Sequence, residues 1–322
     1  MKVKFLNMIL DKKNKVFNFF FGFAISCLLL YYSIKEFDLN NFKEVINNAD
    51  FSLIFLSSLI LIFTVYLRAL RWKLLLKHKA SNNFLYKAQL VGYFGNNILP
   101  FRIGELIKSY IVGEKYNVSK SMIFGSIVLE RILDMFVVGC FVLLIFFINS
   151  NFLYNINTSI LIGLFLIVII GLFGVILSFK KNNFKVKNSS KILLIVNDIY
   201  SGFSNLNNKN FIFSILYSLL IWCLYLLQVF LMQNAFSLDL SLNQSLILLV
   251  ISTAAISIPA LPGNFGTFEG SVVYSLSLFN VVDNFGFAFI LHAVSFIPYT
   301  ILGLFYFVEN FKFFNYKFNL YE

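Results

Sequence analysis

The chain has 322 residues, of which 59% are hydrophobic and only 13% are charged, and its mean hydropathy is +0.81. This composition excludes a soluble globular domain and is typical of an integral membrane protein. The net charge of +11 does not indicate nucleic-acid binding, because the basic residues flank apolar runs and therefore suit anionic lipid headgroups. Cys27, Cys140 and Cys223 are dispersed in apolar runs, so we expect no disulfide and no metal site.

Six apolar runs are long enough to cross a bilayer, which takes about 20 residues. They cover 16–34, 51–70, 121–148, 154–179, 211–235 and 285–309. The first run follows a lysine-rich segment but is not followed by a small-residue cleavage site, so we interpret it as a membrane helix and not as a signal peptide. We therefore predict an all-α polytopic domain over 16–309, with a basic N-terminus at 1–15 and a tail at 310–322.

Lysine and arginine are unevenly divided between the two sides that six crossings define. Nineteen lie in segments on the side of the N-terminus, and two lie in segments on the opposite side. An excess of basic residues marks the cytoplasmic side of a membrane protein. We therefore predict a multi-pass protein of the cytoplasmic membrane with both termini in the cytoplasm.

Two further apolar regions, 84–113 and 244–281, are interrupted by glycine, proline and asparagine. The pieces of each region are about 15 residues long and fall short of a complete crossing. We predict that each region forms a re-entrant helical hairpin, and that the two hairpins enter from opposite faces of the membrane. Such a pair indicates a pseudo-inverted repeat with a binding site where its halves meet.

The first hairpin contains the polar stretch GYFGNNILPFRIGELIKSY. Backbone that leaves a helix at membrane depth must be buried in protein or line a wet cavity. We predict that Pro100 and Gly104 shape the break and that Asn97 lies in the resulting polar pocket. Arg102 and Glu105 are three residues apart on one helical face, where they either bind a substrate or only pair with each other.

The second hairpin repeats this pattern in ISTAAISIPALPGNFGTFEGSVV. Pro262 and Gly266 have the same spacing as the proline and glycine of the first hairpin, and we predict that they shape the turn together with Gly263. Asn264 and Glu269 follow in positions that resemble those of the asparagine and glutamate in the first hairpin. The predicted substrate-binding residues are therefore Asn97, Arg102, Glu105, Asn264 and Glu269.

A third polar group lies inside the 121–148 run, in SIVLERILDMFVV. Glu130, Arg131 and Asp134 have the i, i+3 and i, i+4 spacings of one helical face. Three unpaired charges would cost on the order of 10 kcal/mol in a bilayer, so they must face protein or water. Either they form a buried ion network, in which we expect Arg131 to pair with Asp134, or they contact a charged substrate.

These motifs resemble those of the lysylphosphatidylglycerol synthase transmembrane region, also called the flippase-like family. The resemblance is carried by NNILPFRIGELIKSYIVGEKYNVSKSMIFGSIVLERILD and PALPGNFGTFEGSVVYSL, and it covers about 10–310. The family pattern has a second glycine where Asn264 stands in this chain. The resemblance implies a polytopic inner-membrane fold with two re-entrant elements. It also implies a role in moving amphipathic lipids, such as aminoacylated phospholipids or lipid-linked glycans, between leaflets.

We expect neither enzyme activity nor a cofactor. In bifunctional members of the family a separate soluble domain carries out the lipid synthesis, and only 13 residues follow residue 309 here. His78 and His292 are each isolated from any nucleophile or metal-ligand cluster in the sequence. We interpret His292 as a residue that packs between helices.

Two functions are therefore consistent with the sequence. One is a translocase for a lipid or a lipid-linked saccharide, and the other is a non-transporting partner or scaffold for an envelope glycosyltransferase or a lipid-modifying enzyme. Charged, broken helices at membrane depth favour transport, because a scaffold does not need them. The expected partners are anionic membrane lipids or lipid-linked saccharides, and an envelope glycosyltransferase and a homodimer are left open.

Overall fold

Eight α-helices lie among the residues that the structure describes. The structure, a computed structural model, describes residues 43, 46–76, 79–99, 102–148, 198–199, 201–202, 208–257, 262–281 and 285–318, with side chains as far as residue 309. The helices are α1 (Phe51–Leu75), α2 (Asn82–Ile98), α3 (Gly104–Tyr116), α4 (Lys120–Ile148), α5 (Asn208–Ala235), α6 (Leu242–Ile256), α7 (Thr267–Ser277) and α8 (Phe285–Phe318). A 3-10 turn, Pro262–Asn264, precedes α7. No strand occurs among these residues, which confirms the all-α prediction for them.

Four of the described helices are long and apolar enough to cross a membrane. They are α1, α4, α5 and the Phe285–Glu309 part of α8, and they coincide with four of the six predicted runs. The other two runs, 16–34 and 154–179, lie outside the described residues, as does the N-terminus at 1–15. The protein is therefore a multi-pass helical membrane protein.

Local sequence explains where several of these helices begin and end. Asp50 caps α1, because its carboxylate accepts hydrogen bonds from the backbone N–H groups of Ser52 and Leu53 at 2.8 and 3.3 Å. These two bonds hold the pKa of the Asp50 carboxyl below its usual value. In the middle of the first interrupted region, α2 ends at Ile98 because Leu99 is extended, as a residue before proline prefers.

The helices pack around one main apolar core. Side chains from α1, α2, α4, α5, α6, α7 and α8 meet there, and buried members include Val65, Trp222, Met232, Leu248 and Phe287. Helix α1 packs along α5, and α2 packs along both α8 and α3. The helices therefore enclose a core while large apolar side chains such as Phe55 and Phe63 remain exposed, which suits contact with lipid or with other membrane segments.

The first interrupted region consists of α2 and α3 packed closely against each other. A side chain at Gly104 would collide with the carbonyl oxygen of Gly92 and with Asn96, so the two backbones approach as only glycine permits. The turn conformation itself belongs to Arg102, which has a φ of 53°. Gly104 therefore shapes this region by helix packing and not by turning the chain. Pro100 lies outside the described residues.

The second interrupted region contains α6, the 3-10 turn and α7. Gly263, Asn264 and Gly266 have φ values of 70°, 60° and 82°, in the left-handed range that suits glycine and asparagine. A side chain at Gly263 would also meet the ring of Phe296 and the carbonyl of Asn97. The turn of the second region is thus packed against the end of α2 in the first.

Gly104→Ala should destabilise the protein, because the added methyl group forces α2 and α3 apart. Overpacking of this kind costs about 1–3 kcal/mol, and we expect a melting temperature in detergent several degrees below that of the parent. Gly92→Ala is the matched control, since its methyl group would meet Lys108 and Gly104 no closer than 3.2 Å. Equal melting temperatures for the two variants would contradict the packing role of Gly104.

Candidate functional site

Asp134, on α4, lies at the centre of a buried ion network. Its Oδ1 accepts a hydrogen bond from Nη1 of Arg71 at 2.6 Å, and its Oδ2 accepts one from Nη1 of Arg68 at 2.9 Å. Nε1 of Trp222 also donates to Oδ1, at 3.2 Å. All four side chains are buried. The carboxylate thus offsets two charges that hydrocarbon cannot solvate, and it joins α4 to α1 and α5.

Glu130, one turn earlier on α4, extends the network to α2 and α3. Its Oε2 accepts a hydrogen bond from Nζ of Lys108 at 3.1 Å, and its Oε1 lies 3.4 Å from Nη2 of Arg71. Nζ of Lys108 also donates to Oε1 of Gln89 at 2.9 Å and lies 4.7 Å from the centroid of the Trp72 ring, within the range of a cation–π contact. One connected set of polar contacts therefore links five helices.

Arg131 and Glu105 form the rim of this network. Their side chains are 33% and 19% exposed, and Nε of Arg131 lies 2.7 Å from Oε1 of Glu105. The N–H group of that Nε has no hydrogen-bond partner among the described residues, so the contact is an ion pair without a well-aligned hydrogen bond. Nη1 of Arg131 lies 3.6 Å from Oδ2 of Asp134. The expected pairing of Arg131 with Asp134 is therefore present as the longer of two ion pairs, and Glu105 is the nearer partner.

A small polar cavity, with room for about one water molecule, opens beside this rim. It lies between α2, α3 and α4, and its lining consists of Gln89, Gly92, Tyr93, Asn96, Glu105, Lys108 and Arg131. Oδ1 of Asn96 is buried there and has no hydrogen-bond partner among the described residues. The cavity therefore offers both a guanidinium and an unused acceptor.

Arg102 lies just before α3, close to this cavity. Its side chain is exposed, and its charge interacts electrostatically with Arg131 and Glu105. The sequence left open that Arg102 only pairs with Glu105. In the described part of the chain, however, the ion pair of Glu105 is with Arg131, and no carboxylate lies within ion-pair distance of Arg102. A pairing with Glu105 therefore does not explain the presence of Arg102 at this position.

Glu269 lies in a second polar cluster, apart from the cavity. Its Oε2 accepts a hydrogen bond from the backbone N–H of Gly266 at 2.7 Å, and its Oε1 lies 2.6 Å from Nδ1 of His292. Both side chains are buried, and the His292 ring contacts those of Phe265 and Phe268. Glu269 thus caps α7 and connects it to α8. Among the described residues, no group of His, Cys, Asp and Glu could hold a metal ion.

The remaining two predicted substrate residues also lie near the 3-10 turn. Nδ2 of Asn97 donates hydrogen bonds to Oγ1 of Thr300 at 2.8 Å and to the carbonyl of Phe296 at 3.3 Å. The backbone carbonyl of Asn264 accepts a hydrogen bond from Oγ1 of Thr267 at 2.9 Å. The structure therefore places Glu105 in the cavity wall and Arg102 within electrostatic range of it. It places Asn97, Asn264 and Glu269 in the contacts that hold α2, α7 and α8 together.

Sequence reasoning missed the role of Arg68 and Arg71. Both were counted among the basic residues that flank an apolar run, whereas the structure buries them in the network. Their removal from the count leaves a large basic excess on the same side, so the predicted orientation is unchanged. A signal was present, because LRALRW continues the α1 helix and its arginines have the i, i+3 spacing of one face.

The fold and the site define a helical multi-pass membrane protein with a charged cavity inside its helical domain. The family model of the lysylphosphatidylglycerol synthase transmembrane region matches residues 19–303. The chain belongs to this family, which confirms the resemblance seen in its motifs.

Two curated relatives match the chain. The UPF0104 membrane protein MJ1595 of Methanocaldococcus jannaschii is 24% identical over 307 residues, which are 87% of this chain and 91% of that protein. The glycosyltransferase AglD of Haloferax volcanii is 24% identical over 121 residues, which are 37% of this chain but only 19% of that protein. No solved structure matches the chain significantly.

Asp134→Asn should strongly reduce the yield of folded protein, because it leaves two buried guanidinium groups without their shared counter-charge. Breaking a buried ion pair from one side costs about 3–5 kcal/mol. Glu309→Gln is the matched control, since it removes one carboxylate from the exposed pair with Lys87, and exposed pairs contribute at most about 1 kcal/mol. Size-exclusion profiles in detergent would measure both effects, and a normal profile for Asp134→Asn would contradict the central place of Asp134.

Proposed function

We propose that the protein moves an anionic amphipathic lipid, either a phospholipid or a lipid-linked saccharide, between the leaflets of the cytoplasmic membrane. The observation that supports this proposal is the surplus of positive charge around the cavity. The described network contains four cationic side chains and three carboxylates, and Arg102 adds a further cation at its edge. The cations are Arg68, Arg71, Lys108 and Arg131, and the carboxylates are Glu105, Glu130 and Asp134.

A surplus of cations is expensive in a membrane unless an anion balances it. A network with only a structural role would be stabilised by equal numbers of opposite charges and by burial of all of them. Here the inner part is closed, while Arg131 lines the cavity and the exposed Arg102 interacts electrostatically with Arg131 and Glu105. Guanidinium groups bind phosphate through two parallel hydrogen bonds, so the phosphate of a lipid headgroup suits this place.

The proposal includes the finer topology that the sequence predicts. In it, six spans alternate with two re-entrant hairpins that enter from opposite faces, both termini are cytoplasmic, and the chain has no enzymatic activity of its own. Transporters of this kind bind their substrate where broken helices of two repeats meet. The contact of Gly263 with the end of α2 at Asn97 supports this interpretation, because it joins the two interrupted regions.

A second candidate function is that of a membrane partner for an envelope glycosyltransferase. It is favoured by the similarity of part of the chain to a stretch of the glycosyltransferase AglD. Under this alternative the cavity would only stabilise the helices, and purified protein alone would not move lipid.

Arg102→Ala should slow lipid movement without loss of folded protein, because Arg102 is exposed and no described carboxylate pairs with it. We expect at least a tenfold lower rate for fluorescent phosphatidylglycerol in reconstituted vesicles, measured by dithionite quenching of the outer leaflet, and an unchanged melting temperature. Lys79→Ala is the matched control, because Lys79 is an exposed cation away from the cavity.

The same assay separates the two candidate functions. No movement of phosphatidylglycerol or of a polyprenyl-phosphate saccharide by the folded parent protein would overturn the translocase and leave the partner role. Movement at the parental rate by Arg102→Ala would remove Arg102 from the mechanism. Glu269→Gln would not separate the two functions. Both carboxylate oxygens of Glu269 bind within the protein, so the substitution would disturb the fold.

A further inference from the structure

We infer that Arg131 is the phosphate-binding residue of the cavity, and that the Glu105 carboxylate occupies this place until a ligand phosphate displaces it. The inference rests on the proposed function only in taking the ligand to be a lipid headgroup. It assigns to Arg131 a binding role in addition to its place in the ion cluster.

The first argument is the contrast between Arg131 and the two arginines of α1. Arg68 and Arg71 each donate a hydrogen bond of 2.9 Å or less to Asp134, and both are buried. Arg131 forms no such bond with a described residue, since its Nε–H is unused and its Nη1 is 3.6 Å from Asp134. A buried donor without a partner destabilises the protein by the full free energy of its desolvation. Nε of Arg71 also lacks a partner among the described residues, but the Arg71 side chain is fully buried, whereas that of Arg131 is one-third exposed. Arg131 is therefore the arginine whose unused donors a ligand can reach.

The second argument is that no other described carboxylate offers Arg131 a hydrogen bond, although Asp134 lies within ion-pair distance at 3.6 Å. Both oxygens of Asp134 already accept bonds from Arg68, Arg71 and Trp222. Glu130 is fully engaged by Lys108 and the residues beside it. Only the rim carboxylate, Glu105, remains, and it meets Arg131 at 2.7 Å in a poorly aligned contact.

The third argument is access. Arg131 lines the cavity, its side chain is one-third exposed, and the charge of Arg102 acts on the same space. A phosphate that takes the place of the Glu105 carboxylate could accept two parallel bonds from the guanidinium in place of one unaligned contact. Oδ1 of Asn96, buried and without a partner, could then accept a hydrogen bond from a hydroxyl group of the headgroup. Glu105 therefore competes with the ligand phosphate for Arg131.

Glu105→Gln tests this inference, because it removes the competing charge while keeping nearly the same shape. We expect the dissociation constant of short-chain dihexanoyl phosphatidylglycerol, measured by calorimetry in detergent, to fall about tenfold. Glu114→Gln is the matched control on the same helix, since Glu114 pairs with exposed Lys120 outside the cavity, and it should leave the constant unchanged. A parental constant for Glu105→Gln, in protein with a parental melting temperature, would overturn the inference.

The double variant Glu105→Gln with Arg131→Gln separates displacement from a general effect of charge. If Glu105 acts by occupying Arg131, the double variant binds no more tightly than Arg131→Gln alone, and both bind at least tenfold more weakly than the parent. A gain in affinity that persists without Arg131 would overturn the assignment of the phosphate to Arg131. If Arg131→Gln does not fold, Arg131→Lys replaces it in this test. Arg131→Lys keeps the charge but not the fork of donors, and it should bind the lipid with an affinity between those expected for the parent and for Arg131→Gln.

Three further ligands distinguish a headgroup from a free phosphate. Dihexanoyl phosphatidylcholine should bind more weakly than the phosphatidylglycerol probe, because its choline group meets the surplus cations. Glycerol 1-phosphate and inorganic phosphate should compete only weakly. If inorganic phosphate binds with the same dependence on Glu105 and the lipid does not, the Arg131 site stands and the lipid function fails. If lipid moves between leaflets but its binding is independent of Arg131, the function stands and this inference fails.

Discussion

Hydrocarbon cannot solvate a charge, yet this protein places Asp134 and Glu130 in the middle of an apolar helix. The structure resolves this conflict by having each carboxylate shared between basic residues of neighbouring helices, with Arg71 in contact with both. Because each of these groups is costly to leave unpaired, α1, α3 and α4 cannot separate without exposing a bare charge, and Gln89 and Trp222 add α2 and α5 to the same network. The remaining packing, including the close approach at Gly104, is arranged around this constraint.

The network changes character from its centre to its rim. At the centre, Asp134 is buried and accepts short hydrogen bonds, which is the arrangement of a structural ion pair. At the rim, Arg131 and Glu105 are partly exposed, poorly aligned and next to a cavity. A rim of this kind can exchange partners at low cost, because its groups are already in contact with the cavity. The same set of charges can therefore stabilise the fold and bind a ligand.

Much of the fold could be predicted from the sequence, because apolar length alone identifies α1, α4, α5 and α8. The interruption at Pro100 also marked where α2 ends, whereas α6 ends at Ile256 and Pro262 begins the 3-10 turn that follows. The pairing of charges could be predicted only in part. Spacing along one helix suggested Arg131 with Asp134, and these do form an ion pair at 3.6 Å, but the nearer partners of Asp134 are two arginines of another helix. Arg68 and Arg71 were taken for residues at the membrane surface because they lie at the end of an apolar run. Contacts between helices depend on packing that a single helical period does not contain.

The presence of a phosphate at Arg131 is the central claim, and a crystal structure with bound dihexanoyl phosphatidylglycerol tests it most directly. The account predicts phosphate density within hydrogen-bond distance of the Arg131 guanidinium, with the Glu105 carboxylate moved away from Nε and a headgroup hydroxyl near Oδ1 of Asn96. A structure obtained at saturating lipid in which Glu105 still pairs with Arg131, and in which the phosphate lies elsewhere, would contradict it.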